Sequence, residues 1–255
     1  MNEREKKVKS ILITQPPPEA GKNVYEEFAK KYKLKIDFRA FIHIEPLTAK
    51  EIRRQKVSFP EYTAIIFNSK NAVDSFFTMA QEMKAEMSQD TKYFSVNENV
   101  SNYVQKYIIP RKRKMFHGKG SEKDFLNLMK NHGTEKFLFP CSDIRKPSIP
   151  NFFEEHKLNL KECIIYRTVS SDLSDLRDVF YDILVFFSPA DIKSLYDNFP
   201  DFVQNDTRIA GFGESTQKAI LEHNLILDIP APAPDSPSML SAIEKYVKRA
   251  NADKK

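Results

Sequence analysis

Two stretches of the chain carry one hydrophobic pattern. Residues 62–77 read YTAIIFNSKNAVDSFF and residues 181–196 read YDILVFFSPADIKSLY. Each begins with a short apolar run, which predicts a buried strand. Each then has a polar break at a serine, followed by apolar residues at helical spacing. Aligned without gaps, the two share Tyr62/Tyr181, Phe67/Phe186, Ser69/Ser188 and Ser75/Ser194. The helical positions are Val73, Phe76, Phe77 and Ala80 in one and Ile192, Leu195, Tyr196 and Phe199 in the other. That i, i+3, i+4, i+7 spacing gives one buried helical face. A strand–serine–helix unit that recurs about half a chain apart predicts an internal duplication.

The remaining pattern agrees with alternating strands and helices. A first strand covers 9–14, and a helix runs from Asn23 to Tyr32 with Val24, Phe28 and Tyr32 on one face. Lys35 to Leu47 reads as one long extended strand leaving its domain, and Thr48 to Gln55 as a short helix. After the first unit come a strand at 92–96, a helix at 99–107 and a strand end at 115–117. A helix at 122–131, a strand at 136–140, a helix at 148–156 and a long strand at 160–169 follow. After the second unit come a strand at 208–212, a turn over Gly213-Glu214-Ser215, and a helix from Thr216 to His223. A strand at 226–229, a proline-rich loop and a helix at 239–249 end the chain. TKYFSVNENVSNYV (91–104) aligns with TRIAGFGESTQKAI (207–220), and Lys33-Leu34-Lys35-Ile36 with Lys157-Leu158-Asn159-Leu160. Strands alternating with helices predict an α/β protein with parallel sheets covered on both faces. Two such halves with two long strands between them predict two lobes and a cleft.

Composition narrows the function. The 255 residues, 41% hydrophobic and 29% charged, are those of a globular protein of one large or two smaller domains. No apolar run reaches the ~18 residues of a membrane span, and the charged start lacks a signal-peptide core. A cytoplasmic protein is the expectation. Two cysteines, Cys141 and Cys163, point to no disulfide scaffold, zinc site or redox pair. A net charge of +5 is far from a nucleic-acid footprint, and only Arg111-Lys112-Arg113-Lys114 forms a basic run. That run reads as a solvated loop or as a steering patch for an acidic partner.

In open parallel sheets, ligands bind beyond the carboxyl ends of the strands. Those ends carry Thr14, Ser69, Asn97, Pro140-Cys141-Ser142, Ser188 and Gly213-Ser215-Thr216. Hydroxyls there cap the next helix, and the helix N-terminus, with unpaired N–H groups, attracts carboxylate or phosphate. No GxGxxG, P-loop or GxSxG motif occurs, and the five histidines lack metal-ligand spacing. The expected site therefore consists of hydroxyls and backbone amides, takes an anionic ligand, and uses no metal or cofactor.

Several segments, in order, resemble uroporphyrinogen-III synthases. The first strand with Thr14-Gln15 resembles the family's opening strand and Thr-Arg. IIFNSKNAV (65–73) is similar to its "I-F-T-S-x-x-A-V" element. FLFPCSDIRKPSIPNFFEEHKLNLKECIIYRTV (137–169) resembles its central block, ending in Ile165-Tyr166-Arg167-Thr168. VFFSPADI (185–192) is similar to "F-T-S-P-x-x-V", and IAGFGESTQKAI (209–220) to "A-x-I-G-x-x-T-A-x-A". Asp235-Ser236-Pro237-Ser238 resembles the last "P-T-x-x-x-L" element. The resemblance implies one α/β domain of residues 1–40 and 170–255 and a second of 47–163. A two-stranded ladder of 41–47 and 163–169 would join them. It implies a hydro-lyase that cyclises hydroxymethylbilane, a linear tetrapyrrole with eight carboxylates, to uroporphyrinogen III; nothing in the sequence argues for an oligomer, so a monomer is the expectation. Ring D is inverted and water is lost, without metal or organic cofactor. It nominates Tyr166 as general acid, and Thr14, Ser69, Ser142, Ser188, Gly213, Ser215 and Thr216 as substrate-binding residues.

The chain departs from the family pattern in three places. Asn97-Glu98-Asn99-Val100 stands where Gly and Thr are usual, Asn68 replaces the threonine before Ser69, and Gln15 replaces arginine. These departures leave the second-half residues as the firmer assignment. They also keep open an alternative, a non-catalytic two-lobed homologue that binds a tetrapyrrole or another polyanion for regulation.

Overall fold

The computed structural model describes residues 4–18, 24–109 and 111–252. In chain order the first elements are β1 (Ser10–Ile13), α1 (Val24–Tyr32), β2 (Lys35–Phe38), β3 (Ile42–Pro46), α2 (Ala49–Arg54) and β4 (Ala64–Phe67). Then come α3 (Lys70–Glu82), β5 (Lys92–Ser95), α4 (Glu98–Val104), β6 (Met115–His117), α5 (Glu122–Lys130), β7 (Phe137–Ser142) and α6 (Ser148–Glu155). The chain continues with β8 (Leu160–Ser170), β9 (Ile183–Phe186), α7 (Pro189–Asn198), β10 (Arg208–Phe212), α8 (Glu214–Glu222), β11 (Leu227–Ala231) and α9 (Met239–Ala250). The expected start of the first helix at Asn23 lies outside the described residues.

The chain divides into two compact units. The first comprises Met1–His43 and Val169–Lys255, and the second Ile44–Thr168. Within the first, five strands lie in the order β11-β10-β9-β1-β2, and every pair is parallel. Strand residues alternate between two cores, as the pleat requires. Ile11, Ile13 and Val185 pack with α1 and α9, while Leu12, Leu184 and Phe186 pack with α7 and α8. Because both faces are covered, β9 reads as a continuous apolar run.

The second unit has the order β3-β8-β7-β4-β5-β6. From β8 to β6 its pairs are parallel. Ile65, Phe67 and Leu138 face the core under α2, α3 and α4, and Ala64, Ile66 and Phe139 face the one under α5 and α6. Counted from β7, its five parallel strands run 2-1-3-4-5, the order of the first unit's five strands. This doubly wound order places a reversal of strand order, the strands staying parallel, between β1 and β9 in one unit and between β7 and β4 in the other. The equivalences follow the sequence repeat: β4 with β9, β5 with β10, and β8 with β2.

Two expected elements need correction. The long strand over Lys35 to Leu47 is two strands, β2 and β3, which belong to different sheets. The break is at Phe41, 1% exposed, whose ring packs edge-on to Phe186 at 6.1 Å. Its N–H donates to the Thr14 carbonyl at 3.3 Å, just past β1, while its carbonyl accepts from Ser171 N at 2.8 Å, just past β8, and from the Ser194 hydroxyl, so at this residue the backbone turns from one sheet to the other. The helix expected to start at Thr216 starts at Glu214 instead. Gly213, at φ 82°, makes the turn alone, a left-handed conformation that glycine adopts without a Cβ penalty.

Gly118, after β6, fits tightly, since a Cβ there would meet the Val96 carbonyl oxygen at 2.6 Å and Phe125 Cβ at 3.0 Å. Gly133 would meet only the flexible tip of Leu158 at 3.1 Å and the Lys130 carbonyl at 3.4 Å. Gly118→Ala should therefore destabilise by about 1–3 kcal/mol, the usual cost of overpacking, and Gly133→Ala by clearly less. Denaturant midpoints of the two variants test this, and equal midpoints would show that the loop after β6 yields freely.

Candidate active site

The candidate residues gather at the carboxyl ends of the strands, one group in each unit. In the second unit the centre is Tyr166 on β8. β7 and β8 pair in step from Phe137↔Leu160 to Cys141↔Ile164, but Ser142 pairs with Tyr166, so β8 carries one extra residue. Cys163 and Ile165 alternate onto the face covered by α2, α3 and α4, and Tyr166 joins them there out of turn. A one-residue shift moves a side chain to the other face of a sheet. The bulge is thus what turns Tyr166 toward the start of α3.

At that start, Ser69 caps the helix by accepting from Ala72 N at 3.1 Å. Its hydroxyl lies 3.3 Å from the Tyr166 hydroxyl. Ser69 keeps one proton to donate. If it donates to the phenol oxygen, the phenol proton is free for a ligand. Burial pushes the Tyr166 phenol above its usual value, opposed by the hydrogen bond with Ser69. The phenol is therefore a proton donor throughout the neutral range.

Ser142 lies on the neighbouring strand. Its hydroxyl donates to Asp143 Oδ1 at 2.9 Å and lies 3.3 Å from Thr168 Oγ1. Asp143 Oδ1 also accepts from Ile144 N at 2.9 Å and Thr168 N at 3.1 Å. Ser142 does not cap the next helix, since Pro147 stands at that position without a side-chain bond. Asn68 and Ser95, at the ends of β4 and β5, each hold a buried oxygen (Oδ1 and Oγ) with no partner.

In the first unit, Thr14 and Ser188 lie at the reversal between β1 and β9. Ser188 caps α7 in a capping box with Asp191. Asp191 Oδ2 accepts from Phe187 N at 3.0 Å and Ser188 N at 2.9 Å. Thr14 donates to the Val185 carbonyl at 2.9 Å and lies beside the same carboxylate. Burial pushes the Asp191 carboxyl up against these hydrogen bonds. The protein's own carboxylate thus occupies the amides at which an anionic ligand was expected.

The start of α8 is arranged differently. Gly213 makes no side-chain cap, and its own N–H donates to the Ala231 carbonyl at 2.7 Å. A Cβ at Gly213 would meet nothing within 4 Å, so the space above this turn is open. Ser215 is exposed in the first turn. Thr216 is 1% exposed and its hydroxyl has no partner, so it does not cap.

Sequence reasoning missed Asp143, Asp191 and Thr168. Asp191 had a signal, the Ser-x-x-Asp spacing of a capping box. Asp143 had none, because its role depends on the register of β8. Among the described residues no three acidic, histidine or cysteine side chains form a metal-binding group. No described helix is long and apolar enough to cross a membrane.

A family model described as "Uroporphyrinogen-III synthase HemD" matches residues 24–241. The chain is similar to the uroporphyrinogen-III synthase of Saccharomyces cerevisiae, 26% identical over 257 residues, covering 85% of this chain and 91% of that protein. Among solved structures it is similar to uroporphyrinogen-III synthetase from Helicobacter pylori, with a TM-score of 0.63 at 16% identity over 94% of this chain and 99% of that one. A mutant uroporphyrinogen III synthase from Thermus thermophilus gives a TM-score of 0.57 at 12% identity, with the same coverage. The two structures speak for the fold, and the family match spans most of the sequence: the chain belongs to the uroporphyrinogen-III synthase family.

Proposed function

We propose that the chain cyclises hydroxymethylbilane to uroporphyrinogen III, as a hydro-lyase that needs no metal or organic cofactor. The observation that carries this reading is the pair Ser69 and Tyr166, 3.3 Å apart at the end of a parallel sheet in a member of this family. The terminal hydroxymethyl group must leave as water. Tyr166 donates its proton to that oxygen, with Ser69 holding the phenol from the other side. As the C–O bond breaks, the leaving oxygen becomes a far stronger base than the phenolate, so transfer grows more favourable along the reaction coordinate. The pyrrole nitrogen supplies the electron pair and keeps its proton, so an azafulvene cation remains. Ring D then attacks through its substituted carbon, giving a spiro intermediate that rearranges. The proton lost from carbon on final closure returns to the phenolate, and the sum is substrate to product plus water.

Selecting the substituted carbon is a problem of conformation, so positioning supplies most of the rate. The uncapped first turn of α8, with Ser215 and Thr216 after Gly213, takes a substrate carboxylate despite the exposed Glu214 beside it. The first turn of α3 carries no acidic residue and suits another. Ser142, with Asp143 and Thr168, shapes the edge of the site beside Tyr166. Thr14 and Ser188 we assign to holding Asp191 rather than to direct contact.

Incubation with freshly made hydroxymethylbilane, oxidation and isomer separation should give predominantly type III product. Type I alone, the product of unassisted closure, would leave a binding protein. Tyr166→Phe should slow turnover by roughly 10²-fold, the lower range for a general acid, with an unchanged melting temperature. Because the phenol lies above its usual value of 10.0, turnover should show no alkaline loss due to Tyr166 below about pH 10. Thr216→Val removes a buried hydroxyl that has no partner. It should keep or raise stability while raising KM several-fold, and an unchanged KM would remove Thr216 from the site.

A further inference from the structure

The basic run Arg111-Lys112-Arg113-Lys114 takes no part in the proposed reaction. Arg111 and Lys114 line a cavity of about 420 Å³ in the second unit. That volume lies within the range of small-molecule sites. The cavity is at the amino ends of the strands, because Thr91 directly precedes β5 and Lys114 directly precedes β6. Tyr166 and Ser69 lie at the carboxyl ends of the same parallel sheet.

Its walls are of two kinds. Tyr93, Ile108 and Met115 supply apolar surface. Arg111 and Lys114 supply positive charge, and the Lys114 side chain is only 17% exposed. Their present partners hold them weakly. Lys114 Nζ meets Asp90 Oδ1 at 2.9 Å, and Asp90 is 79% exposed; such pairs contribute little. Arg111 donates to the neutral amide oxygen of Gln89 at 3.1 Å. The lone carboxylate of Asp90 is held below its usual range by Lys114 first, and also by Arg111 and Arg113, so cations outnumber it locally. Thr91 provides an independent observation. It lines the same cavity, is 2% exposed, and its hydroxyl has no hydrogen-bond partner. A buried hydroxyl without a partner costs free energy that a bound acceptor would recover.

We propose that this cavity is a second binding site, for a small anion with an apolar body, a phosphate monoester or carboxylate whose head meets Arg111, Lys114 and Thr91. The apolar body lies against Tyr93, Ile108 and Met115. Two cations and a hydroxyl recognise an oxyanion through charge-assisted hydrogen bonds, while the apolar walls reject a bare ion as the preferred ligand. The site is separate from the proposed reaction, and its occupancy does not depend on that reading.

Isothermal titration of the full chain with octyl phosphate, below its micelle concentration, tests the site. Saturable one-to-one binding is expected, with Kd below about 1 mM, the weak limit of specific binding. Arg111→Gln and Lys114→Gln should each weaken it by about tenfold, the loss of one charge-assisted bond. Thr91→Val should weaken it less, and cyclisation activity should stay unchanged in all three. Inorganic phosphate alone should bind at least tenfold more weakly. Arg111→Gln removes only a bond to Gln89, so it keeps the test valid if Lys114→Gln melts early. No saturable binding, equal binding by Arg111→Gln, or equal affinity for inorganic phosphate would each overturn the proposal. So would capture on vesicles of phosphatidylglycerol without binding of octyl phosphate, because that would make the basic run a membrane-surface patch.

Discussion

One extra residue in β8 sets the geometry around Tyr166 in the second unit. A parallel strand paired to β7 without interruption would carry Cys163, Ile165 and Arg167 on one face and Ile164 and Tyr166 on the other. The register shift at Cys141/Ser142 breaks that alternation and delivers Tyr166 to the face of Ile165. The consequences spread outward. The phenol meets Ser69 at the start of α3, and Arg167 points outward to pair with Glu51 at 2.6 Å. Ser142, now opposite Tyr166, shares Asp143 with Thr168. Burial of the ring among the residues under α3 raises its pKa, so the same displacement supplies both position and protonation state.

The helix N-termini at the strand ends are not equivalent, although the sequence repeat presents them alike. Ser69 and Ser188 occupy matching positions, and both cap a helix. Three residues beyond Ser188 stands Asp191, whose carboxylate takes the amides of Phe187 and Ser188 just before the helix and puts a negative charge in its first turn. Three residues beyond Ser69 stands Ala72, which offers no charge. α8, with a glycine in place of a cap, is open as well. Electrostatics therefore favour an anion at α3 and disfavour it at α7, while α8 is uncapped but carries Glu214 in its first turn. A pattern of hydroxyls alone does not show this, because capping and ligand binding use the same residue types.

Much of the fold was legible because parallel strands covered on both faces must be apolar throughout. AIIF and ILVF with a serine behind them allow few other readings. The order of helices and strands followed from periodicity, and the family resemblance from motifs in series. What failed was local. The run from Lys35 to Leu47 is extended over most of its length, but extension does not reveal which sheet a strand joins, and Phe41 is where the chain changes sheets. The sequence pattern suggests a three-residue turn over Gly213-Glu214-Ser215, yet a single left-handed glycine suffices. Tyr166 was named through resemblance, whereas the bulge that orients it and the roles of Asp143 and Asp191 depend on register and burial, which one sequence does not encode in any short motif.

Buried polar atoms without a protein partner mark places where water or a ligand can complete the bonding. A folded chain satisfies nearly all such atoms, so their positions carry information. Among the described residues they are Asn68 Oδ1, Thr91 Oγ1, Ser95 Oγ, Arg208 Nε and Thr216 Oγ1. Arg208 has other bonds from its guanidinium, to the Asp206 carbonyl at 2.6 Å among them, and belongs to the packing of β10. Asn68, Ser95 and Thr216 all lie at or just beyond carboxyl ends of strands, where a doubly wound sheet binds its ligand. Thr91 stands apart at an amino end, in a cavity with two cations. In the second unit, Asn68 and Ser95 lie at the edge where the reaction is proposed, and Thr91 at the opposite edge where the further anion site is proposed.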